Sequence, residues 1–184
     1  MSAGQFPSIY KEAFITPAIK KIGLDATNVR SYRPISNLSV VSKLLEWIVS
    51  RQLVNYLQTF DLLPSLQFGF RSGHSTETAV LRVLSDIIEA VDSGDVAALA
   101  LLDLSAAFDT VDYDILLRRM HLSFGLDGPA LSWIRSYLHG RSQYVRLGMQ
   151  KSSVMHPPCG VPQGSVLIPI LFIMYTADLV SAYR

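Results

Sequence analysis

The sequence predicts an α+β fold. Three observations carry that expectation: two stretches in the first half repeat apolar residues at helical spacing, a continuous apolar run ends at residue 104, and two short stretches, "SQYVRL" and "SSVMH", alternate as strands around Gly148. With 49% hydrophobic and 17% charged residues over 184 positions, the chain holds apolar material for one sizeable core or two small ones, and disorder is excluded.

In chain order, residues 1–31 read as irregular and Pro-containing, and "YRPIS" at 32–36 leads into a helix near 40–58. Val41, Leu44, Leu45, Ile48, Leu53 and Leu57 form its apolar stripe, with Lys43, Glu46 and Arg51 between them. A loop with turn residues Pro64, Gly69 and Gly73 follows. The next helix runs near 76–92, capped by Ser75 and stopped by Gly94, with Val80, Leu84, Ile87 and Val91 as its core face. Residues 96–104 are short and apolar enough for a strand buried on both faces. Asp112 and Asp114 suit the cap of a helix starting near Tyr113, and "DGPALSWIRSYLHG" reads as another, with Asp127 as cap, Pro129 in the first turn and Gly140 past the end. "GVPQGSVLIPILFIMYTADL" is a loop entering an apolar helix from about Pro169, with Ser165 as a candidate cap. Trp47 and Trp133 fall on helices, as core.

The single Cys159 excludes a disulfide framework and a cysteine-based zinc site. His74, His121, His139 and His156 lack metal spacing and read as structural or surface residues. The N-terminus has no apolar signal region, and "VLIPILFIMY" is too short to span a bilayer and is broken by Pro169, so a soluble, intracellular protein of cytosol or nucleus is expected, with no membrane partner. Lys and Arg number seven against three acidic residues in 1–51, two against ten in 52–117, and seven against two in 118–184. Solvated helix faces would give such segregation. So would a carboxylate-rich, metal-holding site between surfaces that attract phosphates.

Within the acidic middle, "LLDLSAAFDTVD" places three aspartates in twelve positions behind the apolar run. A carboxylate after a strand is often a helix cap, yet a charge at the exit of the most apolar strand is costly without a partner such as a cation. Asp103 fits either role, and Asp109 is intermediate.

"LLDLSAAFDTVDYDILL", followed about fifty residues later by "GVPQGSVLIPILFIMYTADL", resembles the first two palm motifs of reverse transcriptases from non-LTR, LINE-type retrotransposons. "SYRPISNLSVVSKLLEWIVSRQL" and "LQFGFRSGHSTETAV" resemble their fingers motifs, in the same order. Four long, ordered motifs covering nearly the whole chain make a specific signal. The resemblance implies a right-hand polymerase fold with fingers at 1–95 and a partial palm at 96–184, fingers elements lying between the two palm motifs. It implies an RNA-directed DNA polymerase that performs two-metal nucleotidyl transfer with Mg²⁺ or Mn²⁺, and it implies an RNA template, a DNA primer and deoxynucleoside triphosphates as partners.

By the same resemblance, Asp103 is the first catalytic aspartate and holds metal with the backbone carbonyl of Leu104, since hard cations take oxygen ligands. Ser105, Ala106 and Ala107 lie where backbone amides approach the triphosphate. Phe108 matches the ring beneath the nucleotide sugar that excludes a 2′-hydroxyl, with core packing as its ordinary alternative. Gln163 and Gly164 match the motif that touches the incoming nucleotide and its template base. Arg33 matches a fingers arginine on the triphosphate, and Arg71 either lines the template or nucleotide path or is a surface residue.

Two departures qualify the likeness. The sequence ends at Arg184, before the family's Tyr-Ala-Asp-Asp hairpin and thumb; "YTAD" at 175–178 continues a helix and is not that hairpin. Ile168 stands where relatives usually carry glycine, a change worth about 1–3 kcal/mol if that glycine supplies room or a conformation closed to β-branched residues. The expectation is a chain inactive by itself, needing the missing palm and thumb. The alternatives are a non-catalytic nucleic-acid-binding transposon remnant and, disfavoured by the ordered motifs, a metal-dependent phosphodiester hydrolase.

Overall fold

The segment expected to be irregular forms the middle of a sheet. In a computed structural model describing residues 4–102 and 107–181, β1 (Glu12–Ile19) pairs antiparallel with β2 (Tyr32–Asn37) and parallel with β3 (Ser142–Leu147), while β4 (Gln150–Lys151) pairs with β3. The order is β2-β1-β3-β4. Proline in each N-terminal strand hid them, because proline cannot donate to a ladder. Pro17 and Pro34 face each other in the register, and β3 pairs with β1 only as far as Ile15, so the far side of Pro17 has no ladder to break. "SSVMH" is a strand only at one point, where Met155 exchanges backbone hydrogen bonds of 2.7 and 2.8 Å with Gln143. The β3–β4 ladder instead closes around Gly148 at φ +60°, the left-handed first position of a two-residue hairpin.

The helix α1 (Val40–Thr59) starts where expected, with Ser39 accepting from the Ser42 N–H, but it is rotated. Ser42, Glu46, Val49, Leu53 and Leu57 are buried, whereas Val41, Leu44 and Ile48 of the expected apolar stripe are exposed. Apolar residues lie on more than one side of this helix, so spacing alone does not fix its phase; the polar pair Ser42 and Glu46 turns inward because it finds partners there. Trp47 is not core. It is 51% exposed and carries the Arg51 guanidinium 4.8 Å above its ring.

The helix α2 (Thr76–Asp92) has a full capping box between Ser75 and Thr78 and ends before Gly94 at φ +81°. Its expected core face is not buried: Val80, Leu84 and Val91 are exposed and Ile87 is half-buried. Residues 96–102 likewise form no strand and are exposed, contrary to the expectation of burial on both faces. A strand is stable only against neighbours, and among the described residues none pairs with this run. Leu84→Glu together with Val91→Glu should therefore leave thermal stability unchanged within about 0.5 kcal/mol. Scanning calorimetry checks this, and a loss of several degrees in melting temperature would show that the face is covered.

The core lies among the C-terminal half of α1, α3 (Tyr113–Leu122), α4 (Gly128–Leu138) and α5 (Ile168–Ser181). Asp112 caps α3 by accepting from Ile115 N–H at 2.9 Å, and Asp127 accepts from Gly128 N–H at 2.7 Å at the start of α4. Phe6 sets its ring edge-on to Trp133 and Tyr137, which stack on each other at 5.7 Å. Leu57, Leu116, Met120, Leu171 and Met174 close the centre. Ile168 joins this core at the first turn of α5 and has no positive φ, so the strain expected from its replacing a glycine is absent. Residues 175–178 continue α5, where Asp178 pairs with Arg119 of α3 at 3.0 Å. No helix among the described residues is long and apolar enough to cross a membrane.

Candidate functional site

Three backbone segments meet beside the core: the turn at 107–112, the loop at 156–167 and strand β2. Val161 N–H donates to Phe108 C=O at 2.8 Å and Gly160 N–H to Val111 C=O at 2.9 Å, which lays the loop along the turn. On its other side Ser36 N–H donates to Gln163 C=O at 2.8 Å. Two glycines permit this approach. Gly160 has φ +84°, and a Cβ there would stand 2.8 Å from the Asp109 carbonyl oxygen; Gly164 has φ +112°, and its Cβ would stand 2.9 Å from the Ser36 oxygen. The Tyr113 hydroxyl donates to Gly160 C=O at 2.6 Å and fixes the loop from beneath.

The segments enclose a cleft of about 400 Å³ lined by Ser36, Asp109, Tyr113, Arg141, His156 and Gln163 among others. Asp109 is its only carboxylate among the described residues, and Gln163 Nε2 donates to the two Asp109 oxygens at 3.2 and 3.4 Å. Arg141 is buried below, donating from Nη1 to Tyr137 C=O at 3.1 Å with its guanidinium 4.9 Å over the Tyr137 ring. Burial raises the pKa of the Tyr113 hydroxyl, with the Cys159 thiol adding to the shift and Arg141 opposing it; burial, then the Arg141 charge, lowers that of Lys11.

Of the residues singled out from the sequence, the structure gathers Ala107, Phe108, Gln163 and Gly164 around this junction. Phe108 is half-buried and meets Phe172 of α5 edge-on at 5.1 Å, so one side of its ring packs on the core. Asp103, Leu104, Ser105 and Ala106 lie outside the described residues. Arg33 sits on β2 opposite Ala18, exposed, with Nη2 donating to Lys20 C=O at 3.3 Å, and it does not line the cleft. Arg71 donates to Pro64 C=O at 3.1 Å and Ser65 C=O at 3.4 Å, tying its own loop. No three His, Cys, Asp or Glu side chains among the described residues come together to hold a metal ion. The sequence reading missed the contacts of Glu46 with Val166, of Tyr137 with Ser165 and of Asp109 with Gln163, which join positions 120, 28 and 54 residues apart in the chain; only the glycines of "CGVPQG" signalled a close approach in advance.

The chain matches the family described as reverse transcriptase (RNA-dependent DNA polymerase) over residues 19–184. It is 38% identical over 174 residues to the probable RNA-directed DNA polymerase from transposon BS of Drosophila melanogaster, covering 95% of this chain and 19% of that protein. The probable RNA-directed DNA polymerase from transposon X-element of the same fly is 36% identical over 174 residues, again 95% of this chain and 19% of the relative. The RNA-directed DNA polymerase from the mobile element jockey of the same organism is 35% identical over 180 residues, 97% of this chain and 19% of the relative. The chain thus spans about a fifth of the length of these curated relatives.

Proposed function

The chain belongs to the reverse transcriptase family, as a domain of the LINE-type element polymerases, and from that premise we propose that residues 1–184 select the incoming nucleotide in RNA-templated DNA synthesis. The observation that carries this reading is the docking of the Gly160–Gly164 loop between the Phe108–Val111 turn and β2. That junction brings together four of the residues the resemblance assigns to a nucleotide, Ala107, Phe108, Gln163 and Gly164, which supports the reading. In this reading 1–95 are fingers and 96–184 partial palm. Gln163, held by the Asp109 carboxylate, presents its amide to the nucleotide and the paired template base. Gly164 keeps the loop flush with β2, Phe108 limits the space at the sugar 2′ position, and Arg33 and the amides of Ser105, Ala106 and Ala107 meet the triphosphate. Arg71 supports the loop before α2.

Asp103 and the Leu104 carbonyl offer hard oxygen donors that suit Mg²⁺ or Mn²⁺, which when bound would activate the primer 3′-hydroxyl and neutralise charge on the phosphates. The chain's own residues orient the base and sugar and keep the seam closed.

The sugar gate supplies the test. In a chimaera with this segment exchanged into the jockey polymerase, Phe108→Val should raise ribonucleotide incorporation relative to deoxyribonucleotide by about 10–100-fold, because removing the ring removes a clash and touches no metal ligand. Primer extension with each nucleotide type measures it. An unchanged ratio would leave Phe108 as a packing residue against Phe172. The basic flanks should also bind template–primer without sequence preference, log K falling linearly with log salt as counterions leave the few phosphates contacted. Fluorescence anisotropy across a salt series checks this, and salt-independent tight binding would contradict it.

A further inference from the structure

Glu46 is a fully buried carboxylate on the inner face of α1, and no cation pairs with it among the described residues. Such a charge persists in a core only where hydrogen bonds replace its water. Its Oε1 accepts from the Ser42 hydroxyl at 2.9 Å. Its Oε2 accepts from the backbone N–H of Val166 at 2.8 Å, crossing 120 residues of sequence to do so. Val166 stands two residues after Gly164 and two before α5, so the carboxylate satisfies an amide just ahead of that helix, at the end where a negative charge is favoured. The neighbouring amide, Leu167 N–H, is taken by the Ser165 hydroxyl at 3.1 Å, and that hydroxyl is also 2.7 Å from the buried Tyr137 hydroxyl of α4. The start of α5 is therefore pinned from two helices, and from it the chain runs back through Gly164 to Gln163, whose carbonyl receives the Ser36 amide.

We infer that Glu46 is a positioning residue for the Gln163–Gly164 segment: its buried carboxylate, delivered from α1, fixes the backbone at Val166 and thereby holds Gln163 against both Asp109 and β2. This deepens the proposed function and rests on it only for the statement that Gln163 meets a nucleotide; the positioning itself is a property of the chain without substrate. A general core role would loosen α3 and α4 together with the loop. A positioning role loosens the loop and its two partners and spares the rest.

Amide hydrogen exchange and the side-chain amide resonances of the 184-residue chain, read by NMR, separate these outcomes without any nucleotide. In Glu46→Gln, which keeps the shape and loses the charge, exchange should quicken about tenfold or more at Val166 and at Ser36, since a charge-assisted bond is lost. The Gln163 side-chain amide pair should move to the position of a free amide, while Leu116–Met120 in α3 exchanges as in the unaltered chain. Glu46→Ala should show the same pattern; if it fails to fold, Glu46→Gln decides alone. Acceleration at Val166 with Ser36 and Gln163 unmoved, acceleration spread equally over α3, or no change would each overturn the inference. Because none of these readouts involves nucleotide or metal, a failure of the polymerase reading would leave them standing, and their failure would leave that reading to its own test.

Discussion

Residues 1–184, purified alone, are expected to extend no primer on an RNA template with either Mg²⁺ or Mn²⁺, although the family they belong to polymerises DNA. Two-metal transfer needs carboxylates from more than one element to align the 3′-hydroxyl with the α-phosphate, and about 1 Å of misplacement costs about a hundredfold in rate. Asp103 is a single carboxylate. Asp109, in the turn at 107–112, is engaged by the Gln163 amide at 3.2 Å. Primer extension decides it, with Asp103→Ala as control for a contaminating polymerase. Extension that disappears in that variant would contradict the account and would make Asp109 the second ligand.

Gly160→Ala should be the most damaging single methyl that can be added to the chain, at about 2–4 kcal/mol, or a fall of roughly 6–12 °C in melting temperature for a domain of this size. Two costs combine. At φ +84° any Cβ is strained, and here it would also stand 2.8 Å from a backbone oxygen that cannot swing away. Gly73 isolates the first cost: its φ is +76°, but nothing lies within 4 Å of the added carbon, so Gly73→Ala should cost about 1 kcal/mol. Thermal melts of both variants give the difference. Equal losses would mean that the close approach of loop and turn contributes nothing beyond backbone strain.

Much of the helical framework was legible because its signals are local. Ser75, Asp112 and Asp127 cap the helices they precede, and Gly94 and Gly140 follow helix ends with positive φ. What misled was non-local. β1 and β2 carry prolines that argue against strands, and only their mutual register and the short overlap with β3 make those prolines harmless. The run at 96–102 has a strand's composition, yet burial needs a neighbour that composition cannot supply, and the face of α2 is exposed for the same reason.

The site shows the same division. The motifs marked Phe108, Gln163 and Gly164, and the fold brings them to one seam. By spacing alone Glu46 is one of the charges between apolar residues of α1. Its meaning comes from Val166, which no periodicity links to it. Arg71 donates to the Pro64 and Ser65 carbonyls, contacts that its motif does not foretell.

We propose that the Phe108–Val111 turn and the Gly160–Gly164 loop together receive the nucleotide. Photocrosslinking of the 184-residue chain with an azido-substituted deoxynucleoside triphosphate on an RNA template and DNA primer, followed by mapping of the modified peptides, tests it most directly. Adducts should concentrate in residues 107–111 and 160–165 and fall in Gly164→Ala, whose Cβ would push the loop off Ser36. Adducts confined to α1, to α2 or to the β3–β4 hairpin, with the seam unmodified, would contradict it.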